Sequence, residues 1–375
     1  MTEDALPEAD RVDGTPHPRA TRTLFGHDAA ESELLEAATG HRMHHAWLLT
    51  GPKGIGKATL AWRMARFLLA GLHTQGDDGL FGAPPAPTTL DVPEDHPVSH
   101  RLAALSDPGL LLIRRAWDPD RKRLKGQITV DEVRKLNGFF GLSASDGGRR
   151  VVIVDSADEM NTAAANALLK VLEEPPKNAV LLLVSHQPAR LLPTIRSRCR
   201  ELRLGPLSPD ALHKALDQAG AAPDQSSRLA ELSGGSAGEA LQLIGQDGLA
   251  LYERLIALMT TCPQMDRQAL GKLVEHVTAR GAETRLALFV DLLELMLGRL
   301  ARTGAGHPPA VEAADGEAEL FRRLAPTPRT AQEWASLHQS LTDRIAHGLG
   351  VNIDAQSLLT NALLQINEMA AKTAQ

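Results

Sequence analysis

Gly51-Pro52-Lys53-Gly54-Ile55-Gly56-Lys57-Ala58 is the stretch whose residue types and spacing could do chemistry. Gly51, a four-residue spacer, Gly56 and Lys57 fit the phosphate-binding loop. In that pattern successive backbone N–H groups surround phosphate and the lysine reaches the terminal phosphates. The next residue should be Ser or Thr, whose hydroxyl holds Mg²⁺, but it is Ala58. Thr59 comes one position late and faces another side of the helix. Asp155 ends a strong apolar run roughly 100 residues on, where a nucleoside triphosphatase places the acid that orients Mg²⁺. Many such enzymes put Glu next, to activate water; here it is Ser156. Asp158 and Glu159 read as solvated turn acids.

These residues need a strand, a loop and a helix to position them. Ala46-Trp47-Leu48-Leu49 reads as a strand, and Leu60, Ala61, Met64, Ala65 and Leu68 carry a helical period after the loop. Leu110–Ile113, Arg150–Val154 and Ala179–Val184 read as further buried strands, and Ala163–Leu172 as a helix stopped by Glu173-Glu174-Pro175-Pro176. Alternating strands and helices imply a mostly parallel sheet covered on both faces. Asp131 and Glu132 suit a helix N-terminus. Residues 1–21, polar and rich in proline, read as a disordered tail. Residues 73–108, with Gly and Pro clusters, read as a long, surface-exposed and partly mobile insertion. After Leu204 the pattern turns helical, with Leu286, Phe289, Val290, Leu293, Leu297 and Leu300 forming one stripe. Thr303–Glu317 is a polar interruption, and Leu358, Leu359, Leu363, Leu364 and Ile366 form a late core-facing stripe.

Composition narrows the function classes. The chain has 375 residues with 43% apolar and 23% charged, ordinary for a multidomain globular protein. A net charge of −6 provides no global basic field for nucleic acid, which leaves only a local basic patch, and 3% aromatic residues leave few stacking platforms. Two cysteines, Cys199 and Cys262, support neither a disulfide framework nor a zinc site, and a reducing, cytoplasmic setting is expected. His73, His96 and His100 have no zinc spacing. The acidic N-terminus does not read as a signal peptide, and no uncharged apolar run is long enough to span a membrane.

Ser197-Arg198-Cys199, at the end of Leu191-Leu192-Pro193-Thr194-Ile195-Arg196, adds a second kind of signal. Together with Asn166-Ala167-Leu168-Leu169-Lys170-Val171-Leu172-Glu173-Glu174-Pro175-Pro176 and with His44-His45-Ala46-Trp47, it resembles bacterial clamp-loader subunits of the AAA+ class. The specific motifs cover about residues 22–245, and the later helices resemble the family loosely. The resemblance implies an α/β fold: a P-loop domain with a parallel sheet over 22–205, a small helical lid over 206–247, and an all-α collar over 248–375 that joins subunits in a ring. It assigns Arg198 to a finger that enters the ATP site of a neighbouring subunit. A planar guanidinium suits phosphate oxygens, and on the residues alone an ordinary surface arginine remains the alternative. Arg196 and Arg200 read as solvated neighbours, and Cys199 as a small buried residue.

Against this family the departures matter as much as the matches. Active members carry Thr or Ser where this chain has Ala58, Glu where it has Ser156, and a lid arginine where Gly235-Ser236-Ala237-Gly238-Glu239 places Gly238. A metal ligand, a water activator and a charge stabiliser are thus replaced. The implied function is an ATPase-defective subunit of the DNA polymerase III clamp loader, with no intrinsic ATP hydrolysis, inside a DNA-directed DNA polymerase (nucleotidyltransferase) holoenzyme. The alternative is an active AAA+ motor subunit. Partners implied are gamma/tau-like motor subunits, a clamp-opening delta subunit, and through the complex the sliding clamp and primer-template DNA. No cofactor is required. Gly51, Gly54, Gly56, Lys57, Ala58 and Asp155 form a degenerate nucleotide site, open to ATP, ADP or phosphate without metal, or closed by side chains. Some family members hold zinc on four cysteines after the P-loop helix; this chain has none there, so no zinc is expected.

Overall fold

A computed structural model of the chain describes residues 7–12, 15–40, 43–72, 87–141, 148–221 and 225–373. The chain divides into two compact units, Met1–Gly220 with Ser236–Gly238, and Ala221–Gly235 with Glu239–Gln375. The first unit runs past residue 205 and includes the helix that follows it.

In the first unit, α1 (Asp28–Thr39), β1 (Ala46–Thr50), α2 (Lys57–Leu69) and α3 (Pro97–Ala103) precede β2 (Leu110–Ile113). A short hairpin of β3 (Trp117–Asp118) and β4 (Arg123–Leu124) leads to α4 (Val130–Gly141). Then come β5 (Arg150–Val154), α5 (Thr162–Glu173), β6 (Ala179–Ser185), α6 (Pro193–Arg196), β7 (Arg200–Arg203) and α7 (Pro209–Gln218). The main sheet has five strands in the order β2-β5-β6-β1-β7, all parallel. Side chains alternate between its faces with period two. Trp47, Leu49, Val151, Ile153 and Leu182 pack with α1, α2 and α3 on one face. Ala46, Leu48, Val152, Val154 and Leu181 pack with α4, α5 and α6 on the other. Because both faces are covered, the central strands read as unbroken apolar runs. The expected parallel α/β class holds.

Two sequence expectations are corrected here. Residues 7–12 and 15–21 are not a free tail where described. Glu8 pairs with Arg19 at 2.7 Å and with Arg114 at 3.0 Å, and Arg114 also pairs with Asp10. His17 is buried 3.0 Å from Asp10 and meets the Trp62 ring edge-on. The segment is polar, so composition alone could not reveal that its charges have partners in the domain. Within the 73–108 insertion, 73–86 lie outside the described residues, but Leu90, Val98 and Leu102 are buried in the first core and α3 is ordered by Pro97 at its start.

The second unit is helical: α8 (Ser226–Leu232), α9 (Ala237–Gly245, its first two residues grouped with the first unit), α10 (Gly248–Thr260), α11 (Arg267–Thr278), α12 (Glu283–Gly304), α13 (Glu317–Leu324), α14 (Pro328–Gly350) and α15 (Ala355–Thr373). The stripe on α12 buries Phe289, Leu293, Leu297 and Leu300, while Leu286 and Val290 are half-buried. Leu358, Leu359, Leu363 and Ile366 are buried on α15, as their spacing suggested. The polar interruption before α13 is pinned by one buried carboxylate. Glu317 accepts from Arg299 Nε at 2.8 Å, Arg299 Nη2 at 2.9 Å, the Ala313 amide at 2.8 Å and the Tyr252 hydroxyl. Among the described residues, no helix is long and apolar enough to cross a membrane.

Candidate nucleotide pocket and arginine motif

The loop between β1 and α2 has the backbone that its glycines predict. Gly51, Gly54 and Gly56 have φ of 139°, 74° and 105°, in the region that side chains rarely enter. A Cβ on Gly51 would sit 2.3 Å from the Leu204 carbonyl oxygen, so the close approach itself requires glycine. His27 Nε2 lies 2.8 Å from the Ile55 carbonyl and braces the loop from the front of α1.

Lys57 does not extend out of this loop. Its side chain is buried, and Nζ donates to the Gly51 carbonyl at 2.7 Å and to the Pro52 carbonyl. Burial pulls the ammonium down to about 8, opposed by the nearby Asp155 and Asp158. Asp155 sits at the end of β5, its amide donating to Ile113 at 2.9 Å. Burial pushes its carboxyl up to about 7; Asp10 and Glu159 push the same way and Lys57 opposes them. Ala58 offers no oxygen at all. These residues do not fit a magnesium–nucleotide well: the position of the metal-binding hydroxyl is an alanine, and burial makes the Asp155 carboxyl hold its proton more readily than an ordinary carboxylate.

The flanking positions are also committed to structure. Ser156 adopts a left-handed backbone, φ 60°, and its Oγ lies 3.2 Å from His186 Nε2. Burial lowers that imidazole to about 4, with Lys57 adding to the effect. Asp158, expected as a solvated acid, accepts from the His186 amide at 2.9 Å and the Gln187 amide at 3.2 Å, joining the ends of β5 and β6. Glu159 pairs with Arg115 at 2.7 Å. Gly238 donates its amide to the Gly54 carbonyl at 2.9 Å, and a Cβ on it would meet Gly54 Cα at 2.9 Å. Where the resembled family carries a lid arginine, this chain has a backbone-to-backbone contact with room for no side chain.

Arg198 is held differently. It follows α6, half-exposed, with Nη1 donating to the Thr194 carbonyl at 2.9 Å and Nη2 paired with Glu173 at 2.9 Å. Two contacts serve five donors. Ser197 Oγ donates to the same Thr194 carbonyl at 3.2 Å. Burial raises the Cys199 thiol to about 12, so it is no nucleophile at neutral pH. Arg200 is not merely solvated: it pairs with Glu33 at 2.7 Å and lies 4.8 Å over the Trp47 ring. The structure thus gathers Gly51, Gly54, Gly56, Lys57 and Asp155 into one pocket and places Ser197, Arg198 and Cys199 in a separate motif after α6. Sequence reasoning missed Glu173 as the partner of Arg198. Its only signal was its place in the Glu173-Glu174-Pro175-Pro176 helix stop.

Comparison with known proteins follows the same lines. A family profile described as "DNA polymerase III, delta subunit" matches residues 26–208. The DNA polymerase III subunit delta' of Pseudomonas aeruginosa is 40% identical over 212 residues, 55% of this chain and 58% of that protein. The subunit delta' of Escherichia coli is 30% identical over 356 residues, 89% of this chain and 92% of that protein. A solved DNA polymerase III gamma subunit-related protein from Thermotoga maritima aligns over 91% of this chain and 99% of its own, at 20% identity and a TM-score of 0.43.

Proposed function

We propose that this chain, which belongs to the family of DNA polymerase III delta-prime subunits, is a non-hydrolysing member of a clamp loader that lends Arg198 to a neighbouring motor subunit. The observation that carries this reading is the contrast between two cations. Lys57 is buried and bonded to its own loop, whereas Arg198 is half-exposed with most of its donors uncommitted. A guanidinium so placed can stabilise charge developing on phosphate oxygens across a subunit boundary, an effect of roughly 10³–10⁵ where one arginine serves one site. In the chain's own pocket Ala58, Ser156 and Gly238 replace the metal ligand, the water activator and the lid cation, so the pocket keeps its fold without its reaction.

On this reading the partners are gamma/tau-like motor subunits and a clamp-opening delta subunit, with sliding clamp and primed DNA engaged through the complex in the cytoplasm. The chain needs no cofactor and no zinc; any ATP, ADP or phosphate in its loop is bound without metal and without turnover. The test is to reconstitute the complex with wild-type chain or with Arg198→Ala and to measure DNA-stimulated ATP hydrolysis and clamp loading. The expected result is a loss of roughly 10³-fold or more in the turnover of the site it serves, the range for an arginine finger, read as a loss of at least about tenfold in the turnover of a complex whose other sites continue. Unchanged hydrolysis and loading refute the role.

A further inference from the structure

The β3–β4 hairpin concentrates positive charge in a chain that is acidic overall. Arg121, Lys122, Arg123 and Lys125 stand within five residues that contain no acid, whereas the whole chain carries −6. All four are exposed, and among the described residues none of their side chains is in an ion pair. Their neighbours behave otherwise. Arg114, Arg115, Arg134 and Lys135 each face a carboxylate, on Glu8, Glu159, Asp131 and Glu132 respectively. Exposed cations without carboxylate partners, set beside cations that have them, leave a local positive field at the hairpin.

The hairpin is also a rigid mount. Trp117 pairs with Leu124 and Asp118 with Arg123, and the Lys125 amide donates to the Ala116 carbonyl at 2.9 Å. The Asp118 carboxylate accepts the amides of Asp120 and Arg121 at 3.1 and 3.2 Å, closing the turn from inside. Period two along the strand sets Arg123 and Lys125 on one face, opposite the half-buried Leu124. At the tip, Lys122 holds φ at 49°, a left-handed backbone where Gly or Asn is the low-strain choice.

We propose that this hairpin binds the phosphate backbone of nucleic acid, taking duplex DNA by charge without reading its bases. The closely spaced cations match a closely spaced line of phosphates, and the absence of exposed aromatics on the turn removes any platform for base stacking. The proposal is independent of Arg198 and of ATP hydrolysis.

The test uses the full-length chain and a fluorescein-labelled primed duplex, with anisotropy followed between about 50 and 200 mM salt. Wild-type chain is expected to bind with a salt slope that falls by about three to four on combining Arg121→Ala, Lys122→Ala, Arg123→Ala and Lys125→Ala. Across that salt range wild-type then loses on the order of 100-fold more affinity than the combined variant. Lys122→Gly separates binding from folding: it should leave the thermal midpoint equal or higher while weakening binding about threefold and lowering the slope by about one. No binding by wild-type at the lowest salt, or an unchanged slope in the combined variant, overturns the proposal. So does competition by polyglutamate as effective as that by unlabelled duplex, because it would mean an acidic protein face is the partner.

Discussion

Arg198 and Glu173 form a half-exposed pair, 36% and 50% accessible, and the water around them limits its worth to stability. Its consequence is positional, because a long side chain fixed before docking loses less rotamer freedom on meeting phosphate, about 0.5–1.5 kcal/mol. In the assembled complex, Glu173→Gln should lower stimulated turnover by roughly two- to tenfold, with no further loss when added to Arg198→Ala. An equal loss in both backgrounds would show that Glu173 acts elsewhere. Asp155 gives a second residue-scale prediction. Its folded value, raised from 3.8 to about 7, means that between those limits the folded chain holds a proton that the unfolded chain has lost. That contribution is complete at acid pH and disappears as pH rises toward 7. Asp155→Asn should therefore flatten the fall in thermal midpoint between about pH 4 and 7; an Asp155→Asn curve parallel to wild-type would contradict the burial argument.

At the scale of elements, the P-loop is held by backbone contacts. Gly51→Ala must place a Cβ 2.3 Å from the Leu204 carbonyl oxygen at φ 139°, and is expected to cost at least about 1–3 kcal/mol in urea denaturation. In the helical unit, Glu317 balances Arg299 in a buried network, so Glu317→Gln leaves the guanidinium with only the partly exposed Glu231, 2.7 Å from its Nη1, as charge partner. A loss of up to about 3 kcal/mol is expected by the same measurement. The sequence was most legible where pattern and environment coincide. Val151–Val154 and Ala179–Val184 announced buried strands because a parallel sheet buries both faces. The loop announced its glycines because only they fit its dihedral angles. Illegible were features made by partners distant in the chain: Glu8 and Asp10 meeting Arg114, Lys57 folding back onto Gly51 and Pro52, and Glu173 meeting Arg198. Gly and Pro density also hid α3, whose Val98 and Leu102 are too few to declare a helix by period.

At the scale of the whole molecule, the chain keeps the α/β platform of a P-loop domain, and the proposal that it does not hydrolyse ATP rests on positions within that platform. Ala58 carries no hydroxyl, Gly238 packs backbone to backbone against Gly54, and burial raises the Asp155 carboxyl to about 7. Arg198, proposed to act on a neighbouring subunit, lies in a different motif, after α6. The most direct test compares two complexes side by side, one reconstituted with Lys57→Met and one with Arg198→Ala. DNA-stimulated ATP hydrolysis should survive the first substitution within about twofold and fall at least about tenfold with the second, as expected of a finger acting in trans. Loss of hydrolysis with Lys57→Met and its survival with Arg198→Ala would contradict the account and place the chemistry back in the chain's own loop.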